Sequence, residues 1–149
     1  EDCDVLINNA HGTGQQSALA MAWSQNSESQ NRLIINVSSE LVRYSDLIHN
    51  KTAELENYIQ AKQDLINASK HINRGPSNCR STILSLGWVD TNFVRETQLT
   101  HVGLLESYNY FKKNHTLITT KEVVSAVQFL LKQTKNTYIP EISLSNWDL

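Results

Sequence analysis

Leu33-Ile34-Ile35-Asn36-Val37-Ser38-Ser39 is an apolar, largely β-branched run that ends in two serines. A short run of this kind, bounded by turn formers, reads as a strand buried on both faces. Such strands belong to parallel sheets covered by helices. The residues that follow support this. From Lys51 to Ile72, Leu55, Ile59, Leu65, Ile66 and Ile72 recur among polar residues at steps that suit one helix face. Gly75-Pro76 then stops that long amphipathic helix. Thr82-Ile83-Leu84-Ser85-Leu86 is the next strand, ended by Gly87.

The same alternation extends to both ends. Val5-Leu6-Ile7, between Asp4 and the pair Asn8-Asn9, is a further buried-type strand. Ser17 to Gln25 follows as a helix carrying Leu19, Met21, Ala22 and Trp23. Glu40 to Asn57 reads as an extended loop running into the long helix. Val94 to Lys113 is mixed, helical in its second half and mobile in its first. Thr120 is the expected N-cap of a last helix, with Glu122 in its first turn and Val123, Val124, Val127, Phe129, Leu130 and Leu131 behind it. Tyr138 to Leu144 is the last strand, and Pro140 inside it favours an edge. The expected fold is α/β, a Rossmann-like parallel sheet with flanking helices.

Composition narrows the function. The 149 residues carry a formal charge of −2, with 40% hydrophobic and 19% charged residues, enough apolar material for a core. A slightly acidic chain lacks the basic surplus of a nucleic-acid binder. No apolar run approaches the roughly 18 residues that span a bilayer. Neither nucleic acid nor membrane is therefore an expected partner. Cys3 and Cys79 make no disulfide framework. The five histidines, at 11, 49, 71, 101 and 115, have no ligand spacing, so no metal site is expected.

Tyr58 and Lys62 stand four residues apart, on one face of the long helix. A phenol with a pKa near 10 is a poor proton donor or acceptor at neutral pH, and a nearby ammonium favours its ionised form. The pair is therefore a workable proton-transfer couple, although the same spacing also arises as an ordinary surface pair. Three polar clusters close the strands: Asn8-Asn9-Ala10, Val37-Ser38-Ser39 and Leu86-Gly87-Trp88-Val89-Asp90-Thr91. Each falls at the carboxyl end of an expected parallel strand, where open α/β sheets bind ligands.

In this order the motifs resemble the short-chain dehydrogenase/reductase family. Asn8-Asn9-Ala10 resembles the family's Asn-Asn-Ala-Gly, with His11 in the glycine's place. Ser39 matches the catalytic serine, Tyr58 and Lys62 the Tyr-x-x-x-Lys pair, and Leu86-Gly87 with Val89-Asp90-Thr91 the segment that holds the nicotinamide carboxamide. The resemblance implies an NAD(P)-dependent oxidoreductase that interconverts a carbonyl and an alcohol. Tyr58 would transfer the proton. Lys62 would lower the Tyr58 pKa and bind ribose hydroxyls, and Ser39 would hydrogen-bond the substrate oxygen. It implies cofactor contacts at Asn8, Asn9, Ala10, Tyr58, Lys62, Gly87, Val89 and Thr91. NAD and NADP both remain open, as does a homo-oligomer. A small carbonyl or alcohol is the expected substrate, and a cytoplasmic location is expected.

The chain also departs from the family. No Gly-x-x-x-Gly-x-Gly turn precedes Val5, and Gly12-x-Gly14 follows the wrong strand to replace it. The missing strand–helix units amount to roughly 75 residues. Residues 1–149 are thus expected to form a single partial domain, the C-terminal half of the doubly wound fold (strands 4-5-6-7), with its first strand at an edge. Such a chain is expected to bind a dinucleotide weakly or not at all when isolated. An inactive remnant and an interaction module pairing through that edge are the alternatives. The segment supplying the family's fourth catalytic residue, an asparagine, is shortened, and no residue is assigned to it. Ser39 to Tyr58 is longer than usual, and places Tyr44 near the substrate mouth.

Overall fold

The computed structural model describes residues 4–9, 15–25, 32–75, 78–96, 100–134 and 136–146. Ala10, His11, Gly12, Gly14, Cys3 and Trp147 lie outside them. Four strands, β1 (Asp4–Asn8), β2 (Arg32–Ser39), β3 (Cys79–Leu86) and β4 (Glu141–Leu144), pair in the order β1-β2-β3-β4, all parallel. The contiguous parallel order agrees with the Rossmann-like reading. Pro140 precedes β4 rather than interrupting it, and its carbonyl still accepts a hydrogen bond from the Ile83 amide at 3.0 Å. A proline has no N–H to give but keeps its acceptor, so it sits at a strand start without cost to the ladder.

The alternation along β2 builds two cores. Ile34 packs with Ala20, Ile72 and Cys79, beneath α1 (Gln15–Gln25) and α2 (Ala53–Arg74). Leu33 and Ile35 face the other way, onto Leu84 and onto Leu130 of α5 (Thr120–Leu131). A strand buried on both faces is what the continuous apolar run requires. Asn36 interrupts that run and is fully buried. It accepts a hydrogen bond from Asn8 Nδ2 and donates one to Ser81 Oγ, both at 3.0 Å, and Ser81 Oγ lies 2.7 Å from Ser69 Oγ. These partners satisfy the buried amide.

Several boundaries differ from the sequence reading. The helix expected from Lys51 starts at Ala53, because the Thr52 hydroxyl caps the Leu55 amide at 3.3 Å. The expected loop before it contains two short 3-10 turns, Glu40–Val42 and Ser45–Leu47. The cap of α5 is Thr119, not Thr120. Its hydroxyl accepts from the Glu122 amide, and the Glu122 carboxylate accepts from the Thr119 amide at 2.7 Å. This reciprocal box needs a spacing of three residues, which Thr119 has and Thr120 lacks. Thr119→Ala is expected to lower stability by about 1 kcal/mol, measured by urea denaturation. In the segment from Val94, α3 (Phe93–Glu96) and α4 (Val102–Lys113) are both helical.

Candidate active site

The site forms where β2 and β3 end. Ser39, the last residue of β2, accepts a hydrogen bond from the Leu41 amide at 3.2 Å, so it caps the first 3-10 turn. Tyr58 and Lys62 come from α2, on the buried stripe that includes Leu55, Leu65, Ser69 and Ile72. The Tyr58 hydroxyl is hydrogen-bonded to Ser39. Its ring lies tilted against Phe93, with centroids 6.3 Å apart. Lys62 Nζ lies 5.8 Å from the Tyr58 ring centroid and donates to the Val37 carbonyl at 3.0 Å and to Gln16 Oε1 at 3.3 Å. The structure thus brings Ser39, Tyr58 and Lys62 together.

Burial sets the proton affinities. Only 5% of Lys62 is exposed, and burial lowers its pKa to about 8. Burial likewise pushes the Tyr58 phenol up, and the hydrogen bond from Ser39 pulls it back only in part. The expected lowering of the Tyr58 pKa is therefore not the net outcome in the protein alone. Removing the phenolate from water outweighs what its neighbours return.

The Lys62 shift has a consequence for stability. Between about pH 8 and pH 10 the folded protein holds Lys62 neutral while the unfolded chain still protonates it. The unfolded state then binds more protons, so stability rises with pH across that window. Relative to Lys62→Met, the wild type is expected to gain on the order of 3 kcal/mol across it. Urea denaturation of both proteins at several pH values measures the difference. Parallel curves would refute a buried, shifted Lys62.

A cavity of about 910 Å³ opens over these groups. Asn9, Ser39, Tyr58, Lys62, Gly87, Val89 and Thr91 all line it. Asn8 does not. It is buried below, where its amide donates to the Gln16 carbonyl at 3.0 Å and to Asn36. At Gly87 an added Cβ would lie 2.5 Å from Asn146 Oδ1, which accepts from the Trp88 amide at 2.6 Å. The glycine there makes room for Asn146. Thr91 Oγ1 accepts from the Phe93 amide at 3.3 Å and so turns the chain into α3. Ala10 lies outside the described residues.

Two residues escaped the sequence reading. Gln16 reaches Lys62 from α1, and nothing in its local pattern distinguishes it from other polar helix residues. Glu40, directly after Ser39, is a buried carboxylate in the cavity wall. Burial pushes its pKa up, but hydrogen bonds from Ser143, Ser85 and Ser145, with the charge of Arg43, outweigh that and hold it below the ordinary value. Ser143 and Ser145 donate at 2.5 and 2.9 Å, and Arg43 also pairs with Glu141. Serines in β3, in β4 and just after β4 give no local signal of a shared partner. Among the described residues no group of His, Cys, Asp and Glu could hold a metal ion.

No protein-family model and no curated protein sequence matches the chain. Solved structures do. An alcohol dehydrogenase from the archaeon Thermococcus sibiricus, complexed with 5-hydroxy-NADP, superposes with a TM-score of 0.61 at 16% identity, over 95% of this chain and 62% of its own. A serine dehydrogenase complexed with NADP+ gives 0.66 at 15% identity, over 95% of this chain and 64% of its own. A short chain dehydrogenase from Burkholderia cenocepacia in complex with NADP gives 0.57 at 18% identity, over 95% and 59%. The chain shares with these structures a Rossmann-like fold, a parallel sheet with flanking helices. It spans roughly three fifths of the length of these structures. Within that fold the cavity lies at the carboxyl ends of the parallel strands, the usual ligand position of an open α/β sheet. No helix among the described residues is long and apolar enough to cross a membrane.

Proposed function

We propose that these residues are the proton-transfer half of an NAD(P)-dependent oxidoreductase that interconverts a carbonyl and an alcohol. One observation carries the reading: the Tyr58 and Ser39 hydroxyls are bonded to each other at a cavity wall, with Lys62 one helical turn along. Two hydroxyls at one point suit a single substrate oxygen. In reduction Tyr58 gives its proton to that oxygen, while the Ser39 hydroxyl donates a hydrogen bond to it as negative charge develops. In oxidation the same groups run in reverse, and Tyr58 takes the alcohol proton. Lys62, when charged, favours the ionised phenol through space.

The residues present fit the nicotinamide end of a dinucleotide. Asn9, Val89 and Thr91 border one cavity, and Ser38 Oγ in the same wall is buried without a hydrogen-bond partner among the described residues. Asn9, Thr91 and the Val89 backbone would hold the ring, and Lys62 the adjoining ribose. When bound, the dinucleotide supplies or accepts the hydride. The described residues include no glycine-rich turn, so no pyrophosphate contact is assigned among them. We place such a turn in strand–helix units that belong to the whole enzyme, of which residues 1–149 are one partial domain. The test, on the whole enzyme that includes those units, is transfer of deuterium from a labelled reduced nicotinamide dinucleotide to the carbonyl carbon of a ketone. Label in the alcohol is expected, and its absence with both NADH and NADPH would refute the reading.

A further inference from the structure

Resting on that carbonyl–alcohol reading, we infer that the substrate is an uncharged ketone or secondary alcohol with a bulky apolar body. The structure further assigns residues 41–48 as the wall that selects it. The argument begins with charge. Only two charged side chains, Glu40 and Lys62, stand among the described residues of the cavity wall. Both already have partners: Glu40 with Ser143, Ser145 and Arg43, Lys62 with the Val37 carbonyl and Gln16. The Glu40 charge is already met by Arg43, and Lys62, held by two neutral acceptors, is the group proposed above to hold the ribose, so neither is left for a substrate carboxylate, phosphate or ammonium group. A charged substrate would lose its water there without compensation.

The shape of the wall agrees. The two 3-10 turns after Ser39 place Leu41, Tyr44, Leu47 and Ile48 on the cavity, and α3 and α4 place Phe93, Leu104 and Phe111 there. Leu47 is 73% and Tyr44 52% exposed, apolar bodies left at the cavity mouth with little else to cover them. His101, the cap of α4, ties the two sides together, its ring Nε2 lying 2.9 Å from the His49 carbonyl. The volume, about 910 Å³, sits at the upper end of the roughly 300–1,000 Å³ typical of small-molecule sites. Space for an apolar body therefore remains beside the reacting carbonyl.

The test is binding, which needs no turnover. Decan-2-one and 9-oxodecanoate share a methyl ketone and a ten-carbon skeleton and differ in the terminal carboxylate. Each is titrated into the 149-residue protein, with amide chemical shifts as the readout. Decan-2-one is expected to bind at least about tenfold more tightly, with shifts at residues 41–48. Leu47→Lys is expected to weaken it about tenfold and to improve 9-oxodecanoate. Tyr44→Ala serves as a second variant, expected to weaken decan-2-one alone. Equal affinities, a preference for the carboxylate, indifference to both variants, or no binding of either ketone would each overturn the inference. Label transfer from the dinucleotide is scored separately. Selective decan-2-one binding here, without label transfer by the whole enzyme, would keep this pocket and reject the oxidoreductase reading.

Discussion

In the whole enzyme, replacing Tyr58 with phenylalanine is expected to lower carbonyl reduction by about 10²–10⁴-fold, the usual range for losing a general acid. The ring stays, so its contact with Phe93 is kept. What leaves is the hydroxyl that meets Ser39. Because this group is the proposed proton source, the loss should fall on kcat and leave the ketone dissociation constant within a few-fold. Ser39→Ala is expected to act in the same direction but less, since it removes a hydrogen bond to the oxygen and leaves the proton donor in place. Turnover of a ketone, followed by nicotinamide absorbance, measures both. A Tyr58→Phe protein that keeps more than about a tenth of the wild-type rate would exclude Tyr58 as the proton donor.

The largest effect on stability is expected at Leu84. This side chain is fully buried at the middle of β3, packed with Leu33 and Ile35 of β2 and Leu130 of α5. Leu84→Ala removes buried methyl groups and leaves a cavity that a sheet pinned on both sides closes only in part. The expected loss is about 2–5 kcal/mol, against a total of roughly 5–15 for a domain of ordinary stability. Urea denaturation measures it, with Leu47→Ala as the control. Leu47 is largely exposed, so that control is expected to stay within about 0.5 kcal/mol of wild type. A similar result for both variants would contradict the core assigned to β2, β3 and α5.

Most of the architecture could be read residue by residue. Leu33 to Val37 reads as a two-sided strand because four of its five residues are apolar, and a helix period beginning near Leu55 is unmistakable. Element ends were less legible. Thr52 and Thr119 act as caps only through bonds to particular amides, and neighbouring residues such as Thr120 look equally suitable in one dimension. Within the site, Tyr58 and Lys62 were legible because they are local to one helix. Ser39 was legible because it closes a strand. Gln16 and Glu40 were not, since Lys62 lies 46 residues from Gln16, and Ser143 and Ser145 lie more than 100 from Glu40.

The order of apolar runs and amphipathic stretches by itself determined a parallel, helix-covered sheet, because periodicity and burial on both faces are local properties. The same order put the Val37-Ser38-Ser39 cluster at its carboxyl end, and the family resemblance singled out Ser39 there and joined Tyr58 and Lys62 to it. Only the tertiary structure decided their chemistry. Burial, not the neighbouring ammonium, sets the Tyr58 proton affinity, and burial lowers the Lys62 pKa to about 8. Only the tertiary structure closed Leu41, Tyr44 and Leu47 against Phe93, Leu104 and Phe111 around one cavity. Desolvation and cavity shape depend on surfaces brought together from distant segments, and no run of neighbouring residues encodes them.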